Sequence, residues 1–195
     1  MEAKIRQVSL DDAVQIQAIY SPYVRSSSIS FEVDEPTIQE VRNRIEAISV
    51  HYPWLVASLP EGILGYAYAS RHRERAAYQW DVEVSVYVEQ SFQRQGIGTL
   101  LYTVLLKVLK DLGYYNAYAG ITLPNERSVR LHERLGFRKV GVFTKVGYKL
   151  DGWHDVGWWE LELHEKDTPK RRPFDITSWI EAKNEKELLE YGMSS

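Results

Sequence analysis

Apolar and polar residues alternate most strictly from Trp80 to Val88. Trp80, Val82, Val84, Val86 and Val88 fall on one face and Asp81, Glu83, Ser85 and Tyr87 on the other, which predicts a strand. The period then becomes helical. Ile97, Leu100, Leu101, Val104, Leu105, Val108 and Leu109 form one broad apolar stripe, closed by Gly113 as a C-cap. Between the two lies Gln93-Arg94-Gln95-Gly96-Ile97-Gly98. A helix N-terminus carries unpaired N–H groups that attract anions, and glycine has no Cβ to hold a phosphate away. The same residues also fit a tight strand-to-helix turn with no ligand.

Elsewhere the pattern predicts shorter elements. Ile5 to Val8 reads as a strand, and Ser9 with Asp12 as a capping box for a helix carried by Ala13, Ile16, Ile19 and Tyr20. Ser21-Pro22 stops or bends that helix. The polar run from Arg25 to Glu32 reads as a loop, in which Phe31 is a large aromatic needing somewhere to pack. Thr37 and Glu40 form a second capping box, followed by Ile38, Val41, Ile45 and Ile48 at helical spacing. Strands at Trp54–Leu59 and Ile63–Ser70 flank a turn at Pro60-Glu61-Gly62. Arg71 to Arg75 is then a basic loop, either a solvated cluster or a docking point for a carboxylate or phosphonate.

Downstream, a strand is expected at Tyr118–Ile121 and a helix at Glu126–Leu135, ended by Gly136. Further strands are expected near Lys139–Phe143, Val146–Leu150 and Trp158–Leu163, with a turn at Asp151-Gly152. Mixed strands and helices around a buried central strand predict an α/β (α+β) domain over residues 1–164. Residues 165–195 read as a linker and then an amphipathic helix through Ile176, Trp179, Ile180, Leu188 and Leu189. That helix packs on the domain, packs on a partner subunit or stays mobile.

Composition narrows the function. A net charge of −3 argues against a general nucleic-acid surface. The absence of cysteine removes disulfides, thiolate zinc sites and a cysteine nucleophile. The five histidines show no metal-ligand spacing, and His154 and Asp155, adjacent on one chain, face opposite ways. No apolar run has the length of a membrane span and the first residues hold no signal-peptide core, so a soluble, cytoplasmic protein is expected.

Four separated stretches then agree in order and spacing with one family. The turn at Gln93–Gly98 after Val84–Val88, together with Asn125, Ser128, Leu131 and Gly136-Phe137, resembles the GCN5-related N-acetyltransferase (GNAT) superfamily. The segments His51–Ala57, Val82–Val88, Leu123–His132 and Gly152–Trp158 are similar to its phosphinothricin N-acetyltransferases. The resemblance implies a mixed, mostly antiparallel sheet splayed at its central strands and covered by helices. It also implies a bulge in the strand Trp80–Val88 and acetyl-CoA entering the gap beside it.

By the same resemblance, Val86, Tyr87 and Val88 bind the pantetheine arm, and the backbone from Arg94 through Gln95, Gly96, Ile97 and Gly98 to Thr99 holds the pyrophosphate. Asn125 binds the cofactor further along, and a backbone N–H near Val84 to Val86 serves as oxyanion donor. Glu83, a partly desolvated carboxylate flanked by Val82 and Val84, matches the family's catalytic glutamate and is the candidate base. Its other reading is a surface glutamate on a half-exposed strand. His132 stands where the superfamily usually has tyrosine, as an acid, a base, a positioning residue or simply a satisfied buried histidine. The implied acceptor is a small amino acid analogue of the phosphinothricin, methionine sulfoximine or methionine sulfone type, with Phe31 walling its pocket and Arg73 and Arg75 holding its anionic group. A homodimer is implied too. The competing readings are an acetyltransferase of another amine (an ordinary amino acid, a polyamine or a protein N-terminus) and a non-catalytic acetyl-CoA sensor.

Overall fold

The computed structural model describes residues 3–169 and 171–183. Its seven strands are β1 Lys4–Gln7, β2 Trp54–Leu59, β3 Gly62–Arg71, β4 Asp81–Val88, β5 Asn116–Leu123, β6 Arg138–Lys149 and β7 Gly152–Glu162. Its helices are α1 Ala13–Ser26, α2 Ile38–Ser49, α3 Ile97–Leu112, α4 Glu126–Arg134 and α5 Ile176–Lys183. The strands form one mixed sheet in the order β1-β2-β3-β4-β5-β7-β6. No helix among the described residues is long and apolar enough to cross a membrane.

Strand alternation assigns the two faces of the sheet. Leu55, Ala57, Ala67, Ala69, Val82 and Val84 pack with Leu101, Val104, Leu105, Val108 and Leu109 of α3. On the other face Trp54, Val56 and Tyr66 pack with Ala13, Ile16 and Ile19 of α1 and Val41 and Ile45 of α2. The Thr37–Glu40 box is made in both directions, at 2.7 Å from the Thr37 N–H to the Glu40 carboxylate and 3.2 Å from the Glu40 N–H to the Thr37 hydroxyl.

The sheet parts at its middle. β4 and β5 pair in parallel only from Asp81↔Asn116 to Glu83↔Tyr118, while β5 pairs along its whole length with β7. The expected bulge in β4 is not what opens the gap. Its ladder with β3 runs from Arg71↔Val82 to Gly65↔Val88 without a register shift. β5 leaves instead, held by its eight pairs to β7. Gly65 permits the close β3–β4 contact, since a Cβ there would stand 2.7 Å from the Tyr87 carbonyl oxygen.

Several local expectations are corrected. α1 passes through Pro22 to Ser26, because buried Val24 and the Tyr23 hydroxyl, bonded to the Val88 carbonyl at 2.5 Å, anchor its last turn. The two strands expected between Lys139 and Leu150 are one, β6, interrupted by register shifts at Lys139/Gly141 and Phe143/Gly147. β7 begins at Gly152 rather than Trp158, and the residues of positive φ in the hairpin turn are Leu150 (51°) and Asp151 (58°). β5 spans Asn116–Leu123, longer at both ends than expected.

After β7 the chain returns to the core. The Phe174 N–H bonds the Leu112 carbonyl at 3.0 Å, and Ile176 and Trp179 of α5 are buried in the α3 cluster. Leu188 and Leu189 lie outside the described residues.

Candidate active site

The parting of β4 from β5 leaves backbone groups needing partners. The Glu89 N–H bonds Leu64 of the β3 side, and the Trp80 carbonyl accepts from Tyr115 on the β5 side. Alternation therefore directs Val86 and Val88 toward the gap and Tyr87 toward β3. A cleft of about 580 Å³ opens there. Val86, Val88, Arg94, Gly96, Ile97, Gly98, Thr99 and Asn125 line it, so the structure brings eight expected cofactor residues together.

The side chains of the remaining two point elsewhere. The Tyr87 ring is on the opposite face of the sheet, edge-on to Tyr20 at 4.9 Å and Tyr23 at 5.2 Å. Exposed Gln95 donates to the Ser91 carbonyl at 3.1 Å.

The mouth of the cleft suits a large anion. Gly96, at φ 82°, caps α3, and a Cβ added to it would meet nothing within 4 Å. Arg94 precedes it at φ 65°. Arg127, Arg130 and Arg134 line the far wall from α4. These three were missed in the sequence, although their spacing places them along one helical face. A hydrogen-bond chain ties the mouth together: Arg127 donates to Gln93 at 3.1 Å, Gln93 to the Tyr23 hydroxyl at 3.0 Å, and Tyr23 to the Val88 carbonyl. Strand amides with no partner strand beside them, an open glycine turn and four arginines fit the amide arm and phosphates of acetyl-CoA.

Glu83 faces the other side of the sheet, at the last β4–β5 pair before the gap. Its Oε1 lies 3.0 Å from Nδ1 of His72. The His72 ring stacks on Tyr118 at 4.5 Å and 17° and meets the edges of Tyr78 and Trp158. Val84 is buried against the α3 side, one residue along the strand. Arg73 and Arg75 are both exposed on the loop; the residue that turns inward is His72, whose ring can cover Tyr118. Nothing in the pattern of a basic loop distinguishes it from its neighbours.

An aromatic surface continues from Glu83. Tyr66 and Tyr68 of β3 pair across with Tyr87 and Ser85 of β4. Burial pushes the Tyr66 and Tyr87 hydroxyls well above their ordinary pKa, so they stay neutral. Burial likewise raises Tyr20 to about 12. Its hydroxyl lies 2.5 Å from Ser30 Oγ and donates to Glu32 at 3.0 Å, and Arg44 grips Glu32 at 2.7 and 2.9 Å. Lys149, buried by its surroundings, donates to the Ser30 carbonyl at 2.6 Å. These bonds hold the loop before α2 against the sheet. Phe31 sits over Gly147 of β6, where an added Cβ would stand 2.1 Å from its ring.

His132 is 3 % exposed and does not line the cleft. Its Nδ1 is 2.7 Å from the Ser128 carbonyl, which only accepts, so Nδ1 carries the hydrogen. Nε2 then accepts from the Tyr102 hydroxyl at 3.2 Å. Burial lowers its pKa, offset in part by the Ser128 bond, and the ring is neutral. His154 and Asp155 make separate bonds, to the Lys149 carbonyl at 2.9 Å and the Lys145 N–H at 2.7 Å.

The family model described as acetyltransferase (GNAT) domain matches residues 5–158. A phosphinothricin N-acetyltransferase of Streptomyces viridochromogenes is 40% identical over 167 residues, covering 86% of this chain and 91% of its own. An L-methionine sulfoximine/L-methionine sulfone acetyltransferase of Pseudomonas aeruginosa is 32% identical over 168 residues, covering 84% and 96%. The crystal structure of a GNAT-superfamily phosphinothricin acetyltransferase from Sinorhizobium meliloti, in complex with acetyl-CoA, superposes with a TM-score of 0.82 at 32% identity, covering 88% of this chain and 94% of that one.

Proposed function

This chain belongs to the GNAT family of acetyltransferases, and on that premise we propose that it transfers acetyl from acetyl-CoA to the α-amino group of a small amino acid analogue of the phosphinothricin, methionine sulfoximine or methionine sulfone type. The observation that carries this reading is the meeting of two unlike surfaces at the β4–β5 parting. The arginine-walled cleft lies on the helix side, and Glu83 begins the aromatic surface on the other.

Bound acetyl-CoA supplies an acetyl thioester, whose carbon–sulfur bond breaks as the carbon–nitrogen bond forms. Val86 and Val88 hold the amide arm through their backbone, and Gly96 to Thr99 with the four arginines hold the phosphates. Glu83 takes the proton that the acceptor's ammonium must lose before its nitrogen has a lone pair to use, directly or through a water. A backbone N–H near Val84 to Val86 faces the developing oxyanion. Phe31 walls the acceptor pocket, and Arg73 and Arg75 at its rim draw in the acceptor's anionic group. His132, a buried and neutral residue of α4, ties Ser128 of the cleft wall to Tyr102 of α3. Acetylation cancels the charge of the amino group, so the same reaction would disarm a toxic amino acid mimic.

The protein works in the cytoplasm as a homodimer. Supporting the dimer, β6 is an edge strand, and Val140, Val142, Phe143, Val146, Tyr148 and Trp153 of its hairpin are exposed. Turnover of acetyl-CoA across phosphinothricin, sulfoximines, sulfones, amino acids, polyamines and peptides tests the substrate class. Glu83→Gln is expected to lose about tenfold or more in rate, about 1.4 kcal/mol of barrier, while still binding acetyl-CoA. Full activity in that variant, or turnover of polyamines alone, would overturn the proposal.

A further inference from the structure

We infer that His72 is a positioning residue for the acetyl transfer: its Nδ1–H fixes one oxygen of Glu83, so that the other is free and aimed for the acceptor's proton. The inference rests on Glu83 being the base.

An ionised carboxylate only accepts, so the 3.0 Å contact at Oε1 requires the hydrogen on Nδ1 of His72. The imidazole cannot swing away easily. It is clamped flat against Tyr118 at 4.5 Å, with Tyr78 and Trp158 edge-on at 5.9 and 6.4 Å. Only 12% of its side chain is exposed, against 33% for Glu83. The aromatic stack thus holds the donor, and the donor holds the more exposed carboxylate. A glutamate on a strand has free torsions, and fixing one oxygen removes much of that freedom before the acceptor arrives.

The proton count is simple. One N–H⁺ bond of the acceptor breaks, its electron pair stays on nitrogen for attack on the thioester carbon, and the proton goes to Oε2 of Glu83; as the carbon–sulfur bond then breaks, the departing thiolate takes the second proton that the nitrogen sheds, leaving the amide and the free thiol. His72 neither gains nor loses a proton in that step.

Other groups facing this pair are Tyr118 of β5, Tyr78 of the turn before β4, and Glu160 of β7, which bonds Tyr118. Asp81 of β4 acts on Tyr118, and Tyr68 of β3 faces Glu83. The loop carrying His72 adds Arg71, paired with Glu74, and exposed Arg73 and Arg75. Tyr118 is raised to about 12 by burial, so it stays neutral across the working range.

The test compares wild type, His72→Phe and His72→Gln by kcat and acceptor KM, measured separately, for whichever acceptor the turnover panel identifies. Phenylalanine keeps the stack on Tyr118 and removes the donor, whereas glutamine restores a donor without imidazole. Acetyl-CoA binding and thermal melting serve as folding controls. His72→Phe should lose about tenfold in kcat with acceptor KM unchanged, and glutamine should recover most of that loss. A wild-type kcat in His72→Phe, or a loss carried wholly by a raised KM, overturns the inference. Glu83→Gln separates the two readings. If it is inactive while His72→Phe keeps the wild-type kcat, only the role of His72 fails; if it is fully active, the base assignment itself is wrong.

Discussion

Gly98 faces Leu131 across the cleft: a Cβ added to Gly98 would stand 3.4 Å from Leu131 Cδ2, and 3.7 and 4.0 Å from the methyls of Val88 and Val86. These are ordinary contacts, so the protein itself has room for alanine there. The space lies between the strand that parts and the helix that would hold the phosphates. Gly98→Ala should therefore fold with stability within about 1 kcal/mol of wild type, and bind acetyl-CoA about tenfold more weakly. Calorimetric titration beside a thermal melt checks this. Normal acetyl-CoA binding would show that the ligand does not pass Gly98.

His132 predicts a pH effect on stability, because burial holds its folded pKa below the ordinary value. Between that lowered value and about 6.5 the unfolded chain binds the extra proton, so the stabilisation from neutral His132 is lost as pH falls through this window. The difference in melting temperature between wild type and His132→Gln should shrink on going from pH 7.5 to about 5. A difference that is constant or grows would contradict the neutral assignment.

Gly147→Ala should act on the acceptor and spare the cofactor. Its new methyl would overlap the far edge of the Phe31 ring, at 2.1 to 2.7 Å. The ring can swing out at modest cost, since it is partly exposed already. The expected result is an increase of about tenfold in acceptor KM with acetyl-CoA affinity unchanged. Unaltered KM would remove Phe31 from the acceptor pocket.

Ile176→Ala measures how firmly the chain after β7 is tied down. Ile176 has no exposed surface and packs in the α3 cluster. Loss of such a side chain costs about 2–5 kcal/mol. Urea unfolding should show a destabilisation of that size; a change under about 0.5 kcal/mol would mean α5 docks only loosely.

The sequence was most legible where one period governed a segment. Val82 and Val84, and the stripe from Ile97 to Leu109, face the core as their spacing requires. The glycine turn was legible because few other residues adopt the conformation of Gly96. Pro22 misled because its helix is held by long-range contacts, Tyr23 to Val88 among them, that local propensity does not include. The hairpin start at Gly152 was hidden because Trp153, His154 and Asp155 do not alternate by polarity; two of them bond back to Lys149 and Lys145 of β6. His72 was hidden for a similar reason. In a run of arginines its inward turn follows from a ring on another strand, Tyr118, far along the chain.

The short parallel pairing of β4 with β5 makes the sheet a partition with a single window. On the proposed assignment a thioester carrier would approach past α3 and an amine past the tyrosines, so each would dock without crossing the other's route. Selection could therefore exchange one clientele of amines for another by altering the wall around Phe31 and Tyr68, leaving the acetyl donor's berth untouched.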